Sequence, residues 1–365
     1  MGTCIRCKNS SPLISNNLGA CLDCIRSNFS EVWPHLEKVH AASRRAFGLP
    51  EKPPRDPHGI RCKLCINMCV IGEGKYGYCG VRKNEGGRLT GVSAKEGNVT
   101  WYYDYLPTNC VADWVCAGCT GAGYPNFAHC PSYEMGYKNL AVFYQSCSFN
   151  CLFCQNWHYR EQAKSGKRRT AQELAQAVDG ETSCICYFGG DPATQLPHAL
   201  LASRLARRRR EGQILRICFE TNGSMSERLL KPMANLALDS GGCIKFDLKA
   251  WNEELNLALC GVSNKQTLKN FERLAAYIAR RPEPPFLIAS TLLVPGYVDE
   301  GEVGKLAEFI AGLDPNIPYA LLAFYPHFIM NDLPTTSRVQ AKACLQAARE
   351  AGLKRVKIGN VGLLS

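Results

Sequence analysis

The sequence predicts an α/β protein in which a parallel (β/α) barrel or a doubly wound sheet follows a cysteine-rich, metal-binding N-terminal region. Two observations predict it. From Asn139 onward, short apolar runs rich in β-branched and aromatic residues alternate with amphipathic helical stretches. Up to about residue 135, regular periodicity is weak and the cysteines fall into C-x2-C pairs and groups of four.

The bulk numbers bound the reading. At 365 residues the chain is longer than most single domains, which suggests one large core plus an appended module. With 46% hydrophobic and 21% charged residues it reads as globular. No apolar stretch approaches the roughly 20 residues of a membrane span, so no membrane is expected. The opening MGTCIRCKNS lacks a basic segment followed by an apolar one, so a cytoplasmic location is expected. There, 21 cysteines suit metal chelation better than a disulfide framework. The formal charge of +11 invites a nucleic-acid partner, but metal-bound thiolates offset it. The densest basic run, SRLARRRR from Ser203 to Arg210, reads as the solvated face of a helix. Nucleic acid is therefore not the expected partner.

Residues 1–30 form the first module. Cys4, Cys7, Cys21 and Cys24 are two C-x2-C turns around a hairpin-length insert, the arrangement of a zinc ribbon. Residues 31–59 continue SNFSEVWPHLEKVHAASRRAF, read as a helix broken near Pro34, into the proline-rich linker KPPRDPHG. Residues 60–135 hold two more groups. Cys62, Cys65, Cys69 and Cys79 lie among the turn-forming Gly72, Gly74, Gly77 and Gly80; Cys110, Cys116, Cys119 and Cys130 follow. Four ligands suit zinc or a complete iron–sulfur cluster, and spacing does not choose between them. Sharing of cysteines between the groups, or recruitment of His129, stays open.

Residues 136–365 carry the strand–helix alternation. NLAVFYQ, SCICYFGG, LRICFETNG, CIKFDLKA, FLIASTLLVPG and YALLAFYPH read as strands buried on both faces, with VKIGNVGLL a short last one. AQELAQAV, LPHALLASRLARRRR, SERLLKPMANLAL, KQTLKNFERLAAYIARR, EVGKLAEFIAGL and SRVQAKACLQAAREAG read as the intervening helices. In either fold the chemistry gathers at the carboxyl ends of the strands.

At that edge, directly after the first of these strands, stands YQSCSFNCLFCQNWHY, with Cys147, Cys151 and Cys154 at C-x3-C-x2-C spacing. Three ligands are one short of a structural zinc site. His158 would close a zinc tetrahedron; a four-iron cubane would keep one iron open. The next strand ends read YFGGDP (Tyr187–Pro192), FETNG (Phe219–Gly223), FDLKA with Asp247 and Lys249, and LLVPGYVD. Three-cysteine loop and strand-end motifs, in this order, resemble the radical S-adenosylmethionine (SAM) superfamily, and in particular proteins of the pyruvate formate-lyase activating enzyme type. The likeness covers roughly residues 139–327. YFGGDP is similar to the family's GGEP motif, with Asp191 in place of the usual Glu. The segment from Cys62 to Gly86, with the later CLFCQNW, also resembles AmmeMemoRadiSam-system proteins. This chain departs from those in its ribbon, its third cysteine group and its GGDP.

The resemblance implies a partial (β/α)6 radical SAM barrel and a [4Fe-4S] cluster on Cys147, Cys151 and Cys154, its fourth iron chelated by the methionyl group of S-adenosylmethionine. It implies reductive cleavage to a 5′-deoxyadenosyl radical that abstracts hydrogen from an unidentified protein, peptide or small-molecule substrate, glycyl-radical activation being one option. A flavodoxin- or ferredoxin-like electron donor follows. Gly189, Gly190 and Asp191 would meet the methionyl ammonium. Asn222, Asp247 and Lys249 would meet ribose, carboxylate or substrate. Asn156 would face the adenine, as would Trp157 unless it packs in the core. Tyr325 and His327 are expected on the substrate side. Zinc is expected in the ribbon, and zinc or auxiliary iron–sulfur clusters in the other groups. Cys184, Cys186, Cys218 and Cys243, inside strands, read as small hydrophobes, and Cys260 and Cys344 as structural. The competing reading is a zinc-rich module that binds nucleic acid or protein; it leaves the three-cysteine loop and the ordered motifs unexplained.

Overall fold

The computed structural model describes residues 1–365. Nine strands form one sheet: β1 (Glu96–Tyr105), β2 (Lys138–Tyr144), β3 (Arg168–Thr170), β4 (Thr182–Phe188), β5 (Arg216–Thr221), β6 (Ile244–Asp247), β7 (Leu287–Leu293), β8 (Tyr319–Ala323) and β9 (Val356–Gly359). Their order is β9-β8-β7-β6-β5-β4-β2-β1-β3. From β2 through β4 to β9 every neighbour is parallel, whereas β1 lies antiparallel to both β2 and β3. The end strands β9 and β3 each pair on one side only, so the barrel is open.

Alternation along the strands separates two environments. Ile185, Tyr187, Ile217, Phe219, Ile244 and Phe246 point outward into the main core. Against them lie α2 (Ala171–Gln176), α3 (Leu196–Arg209), α4 (Leu230–Ser240), α6 (Lys265–Ala275), α7 (Glu300–Leu313) and α8 (Arg338–Glu350), while α1 (Phe29–Arg45) precedes the sheet and α5 (Glu253–Cys260) follows β6. Helix starts are fixed by side chains that accept orphan N–H groups: Thr170 and Glu173 form a capping box on α2, and Asn252, Asp299 and Ser337 cap α5, α7 and α8. Arg204, Arg208 and Arg209 are exposed on α3, as a solvated helix face requires. No helix is long and apolar enough to cross a membrane.

The structure corrects four boundaries. The sheet begins at Glu96, not near residue 136, because EGNVTWYYDY pairs along the whole of β2. Helix α1 runs through Pro34 without interruption; the proline sits near its N-terminal end, where few i→i−4 bonds are lost. KPPRDPHG is not a free linker, since Val70 donates to the Pro54 carbonyl at 2.9 Å and Asp56 to that of Val70 at 3.1 Å. Helix α5, absent from the runs read as helices, follows its Asn252 cap.

The N-terminal module is bound to the barrel. Ser15 Oγ donates to Asp332 at 2.8 Å, the Ser15 amide donates to the Tyr297 hydroxyl at 3.1 Å, and Arg26 forks onto Asp299 at 2.9 and 3.0 Å. Its helix α1 supplies His40, whose Nε2 lies 3.0 Å from the Ala258 carbonyl on α5.

Candidate functional site

The three-cysteine loop leaves β2 and folds over the carboxyl ends of the strands. Its backbone is pinned to the last turn of α5, Asn150 N donating to the Cys260 carbonyl (2.8 Å) and Leu152 N to that of Leu259 (3.0 Å). The Asn150 side chain is held by His40 Nδ1 (3.0 Å) and Ser43 Oγ (2.8 Å) from α1, and accepts from Arg160 (3.3 Å). Cys151 is buried and Cys147 and Cys154 are half-buried. The Cys147 sulfur accepts from its own loop at Phe149 N (3.3 Å) and from Asn222 Nδ2 beyond β5 (3.6 Å). Asn222 also donates to Ser148 Oγ at 2.9 Å, so the expected contact residue is a positioning partner of the loop.

The geometry rejects the single-ion closure. His158 is exposed, stacks on Trp157 at 3.8 Å and lies 3.8 Å from Glu161. Among the acidic, histidine and cysteine side chains, only Cys4, Cys7, Cys21 and Cys24 draw at least three ligand atoms within 4.8 Å of one another. A tetrahedral ion with Zn–S bonds of 2.3 Å needs sulfurs about 3.8 Å apart, and Cys7 and Cys21 lie at 3.7 Å. The ribbon thus fits one ion. The wider loop of Cys147, Cys151 and Cys154 suits thiolates on separate irons of a cluster.

Two orphan groups beside the loop support that fit. Arg160, 2% exposed, has Nε and Nη1 without partners, a buried cation facing thiols. Asp247 Oδ1, buried at the carboxyl end of β6, is likewise unpartnered, while its other oxygen takes Lys249. Burial opposes the Lys249 charge, but Asp247 and Cys151 outweigh it and raise its pKa. An acceptor and a cation side by side at a barrel mouth match a zwitterionic methionyl group.

The Asp191 carboxylate accepts from Ala193 N (2.7 Å), Asn222 N (2.6 Å) and Thr221 Oγ1 (3.0 Å), so it latches β4 to β5, with three donors on its roughly four acceptor sites. The side chain is one methylene shorter than Glu and turns back onto its own strand end. Burial pushes its pKa up to about 6 against those hydrogen bonds. Gly189 and Gly190 have positive φ, and a Cβ on Gly190 would stand 2.2 Å from the Tyr144 carbonyl. They bring β4 against the start of the loop.

Asn156, beside Gln155, lines the lumen of the barrel. Trp157 does not enter the core; it stacks on Phe328 at 5.6 Å and tilts against Phe47 at 5.9 Å in an external aromatic cleft that includes His327. Tyr325 is exposed, 5.2 Å from His327.

The other cysteine groups separate. Cys62, Cys65, Cys69 and Cys79 line one small void with Tyr78 and Thr194. That segment is fastened beside the loop: Asn67 Nδ2 donates to the Ser148 carbonyl (2.7 Å) and Ile66 N to that of Ser224 (2.9 Å). Cys110 and Cys116 lie at the opposite, amino-terminal side of the lumen, so the two groups do not mix. Cys119 follows Cys116 there, but Cys130 faces the Ser132 and Tyr133 carbonyls at the surface. His129 stacks on Tyr137 at 4.0 Å. Sequence reasoning missed Cys260, whose sulfur lies 3.4 Å from that of Cys151, and the lumen-facing Cys184, Cys186, Cys218 and Cys243. The i, i+2 spacing of Cys184 and Cys186 is the one signal that could have revealed a shared face.

Residues 141–310 match the Radical SAM superfamily, and the three-cysteine loop, the strand-end motifs and the parallel strands lie within or beside that stretch. The chain is an enzyme of that chemistry, similar to pyruvate formate-lyase activating enzymes. Among its relatives, the pyruvate formate-lyase 1-activating enzyme of Escherichia coli is 26% identical over 190 residues, 50% of this chain and 73% of the relative. An uncharacterised protein of Methanocaldococcus jannaschii is 25% identical over 316 residues, 84% of this chain and 83% of the relative. A crystal structure of a domain of pyruvate-formate lyase-activating enzyme from Bacteroides vulgatus aligns with a TM-score of 0.38 at 22% identity, over 48% of this chain and 98% of that one.

Proposed function

We propose that Cys147, Cys151 and Cys154 hold a [4Fe-4S] cluster with one open iron, and that S-adenosylmethionine binds between it, Asp247, Lys249 and the Gly189–Gly190 edge. The observation that carries this is the three-cysteine loop flanked by buried polar atoms without partners, Arg160 Nε and Nη1 and Asp247 Oδ1. When bound, the pair supplies a 5′-deoxyadenosyl radical that takes hydrogen from substrate.

The chain's own residues orient and shelter. Asn222 donates to Cys147 and fixes the height of the loop. His40, Asn150 and Arg160 hold its outer turn, and α5 closes it from water. The Arg160 guanidinium offsets the negative charge of the thiolates. Asn156 and Gln155 stand between the loop and the lumen, where substrate would lie. The similarity to activating enzymes supports a protein substrate, with glycyl-radical activation as one form, and a flavodoxin- or ferredoxin-like electron donor. Zinc in the ribbon and an auxiliary iron–sulfur cluster on Cys62, Cys65, Cys69 and Cys79 complete the reading.

Anaerobically reconstituted protein should release 5′-deoxyadenosine from S-adenosylmethionine under dithionite. A colourless protein containing zinc alone would refute the reading.

A further inference from the structure

One cysteine inside a strand is ordinary packing. Here Cys186 pairs in register with Cys218, and the register of Phe219 with Ile244 sets Cys218 beside Cys243. Three thiols from adjacent strands therefore stand at one height on the inner face, with Cys184 one layer below. A barrel layer of this kind is ordinarily filled by branched aliphatic side chains. These short, soft side chains instead border a cavity of ≈ 580 Å³.

The loop that crosses the amino-terminal floor adds Cys110 and Cys116 to the same wall, six thiols in all with Cys184. Cys116 packs with Cys186, Cys218 and Cys243 in one small cluster. Lys245, 1% exposed, rises among them: its Nζ lies 2.9 Å from Cys110 Sγ, 3.2 Å from Cys186 Sγ and 3.2 Å from the Glu220 carboxylate. A buried ammonium against two sulfurs is the environment that thiolates need. Arg216 lies on the same wall but is already neutralised by Glu134 at 2.6 Å.

No three of these sulfurs approach one another within the 4.8 Å that a single ion requires. The space, the softness of the donors and their wide spacing fit a polynuclear centre. We propose that the lumen holds a four-iron iron–sulfur cluster bound by four thiolates, drawn from Cys110 and Cys116 of the floor loop and Cys186, Cys218 and Cys243 of the strands. Cys130 is not part of it. The cluster would present one face toward Gln155 and Asn156, and so toward whatever occupies the lumen. This site is separate from the three-cysteine loop and does not depend on cleavage of S-adenosylmethionine.

An anomalous difference map at the iron edge, from crystals of the anaerobically reconstituted full chain, tests it. Iron density between Cys110 and Cys218 is expected; none there, or zinc alone there, overturns the proposal. In solution, Cys218→Ser combined with Cys243→Ser should lower bound iron by about four atoms per chain, and Cys130→Ala should leave it unchanged. Unchanged iron in the double variant overturns the proposal. The metal of the ribbon and the iron at Cys147, Cys151 and Cys154 report separately on folding and on the first centre, so its failure is distinguishable from failure of this one.

Discussion

Glu134→Gln tests how the floor loop is fixed beneath the lumen. Glu134 is fully buried and Arg216 is 2% exposed. The two make a fork of 2.6 and 2.7 Å, and Glu134 also accepts from His129 N at 2.9 Å. Arg216 further donates to the Phe127 carbonyl and to Ser183 Oγ, both at 2.8 Å. The amide removes the negative charge and turns an NH2 group toward one guanidinium nitrogen. Breaking a buried pair while its partner stays charged costs about 3–5 kcal/mol. That cost falls on the segment from Leu106 to Tyr137, which this pair ties to β5. Native-state hydrogen exchange should therefore accelerate in this segment by roughly two to three and a half orders of magnitude, with β6 to β8 little changed. Adding Arg216→Met removes the stranded charge and should restore part of the protection, since the remaining loss is that of the orphaned Phe127 and Ser183 acceptors. Protection within threefold of the parent, or an equal loss across the sheet, would refute the reasoning.

Three further outcomes are expected. Asp247→Asn should weaken S-adenosylmethionine binding about ten- to hundredfold by calorimetry, the worth of a hydrogen bond to a charged group, while iron content stays constant; unchanged affinity would remove Asp247 from the site. Asn222→Ala removes the N–H donor to Cys147, so the potential of the cluster should fall by tens of millivolts in an EPR-monitored titration. His40 is buried neutral, its pKa lowered to about 4 by burial. The unfolded chain takes up that proton first as pH drops below 6.5, so stability present above that value is lost toward pH 4, by up to about 3 kcal/mol; His40→Gln should flatten that slope in thermal unfolding.

Much of the barrel was legible in the sequence because parallel strands buried on both faces leave unbroken apolar runs. Each of the seven runs from NLAVFYQ to VKIGNVGLL became a strand. β1 escaped because Glu96, Asn98 and Asp104 break the continuous apolarity of a strand buried on both faces, and pairing with β2 reveals it. The three-cysteine loop was legible from spacing, but the fate of its neighbours was not. A one-letter motif cannot tell that the Asp191 carboxylate accepts from Thr221 and Asn222, nor that His40, over a hundred residues upstream, braces Asn150. The lumen thiols were hidden for a related reason. Cys186, Cys218 and Cys243 are far apart in sequence, and only the registers of β4, β5 and β6 bring them to one layer.

The central claim is that the open corner left by three cysteines receives S-adenosylmethionine. Its most direct test is the yield of 5′-deoxyadenosine from reconstituted protein under dithionite, with and without replacement of Cys147, Cys151 and Cys154 by alanine. The account predicts product from the parent and none from the variant, with the metal of the Cys4, Cys7, Cys21 and Cys24 ribbon retained in both. Product from the variant, or none from an iron-loaded parent, would contradict it.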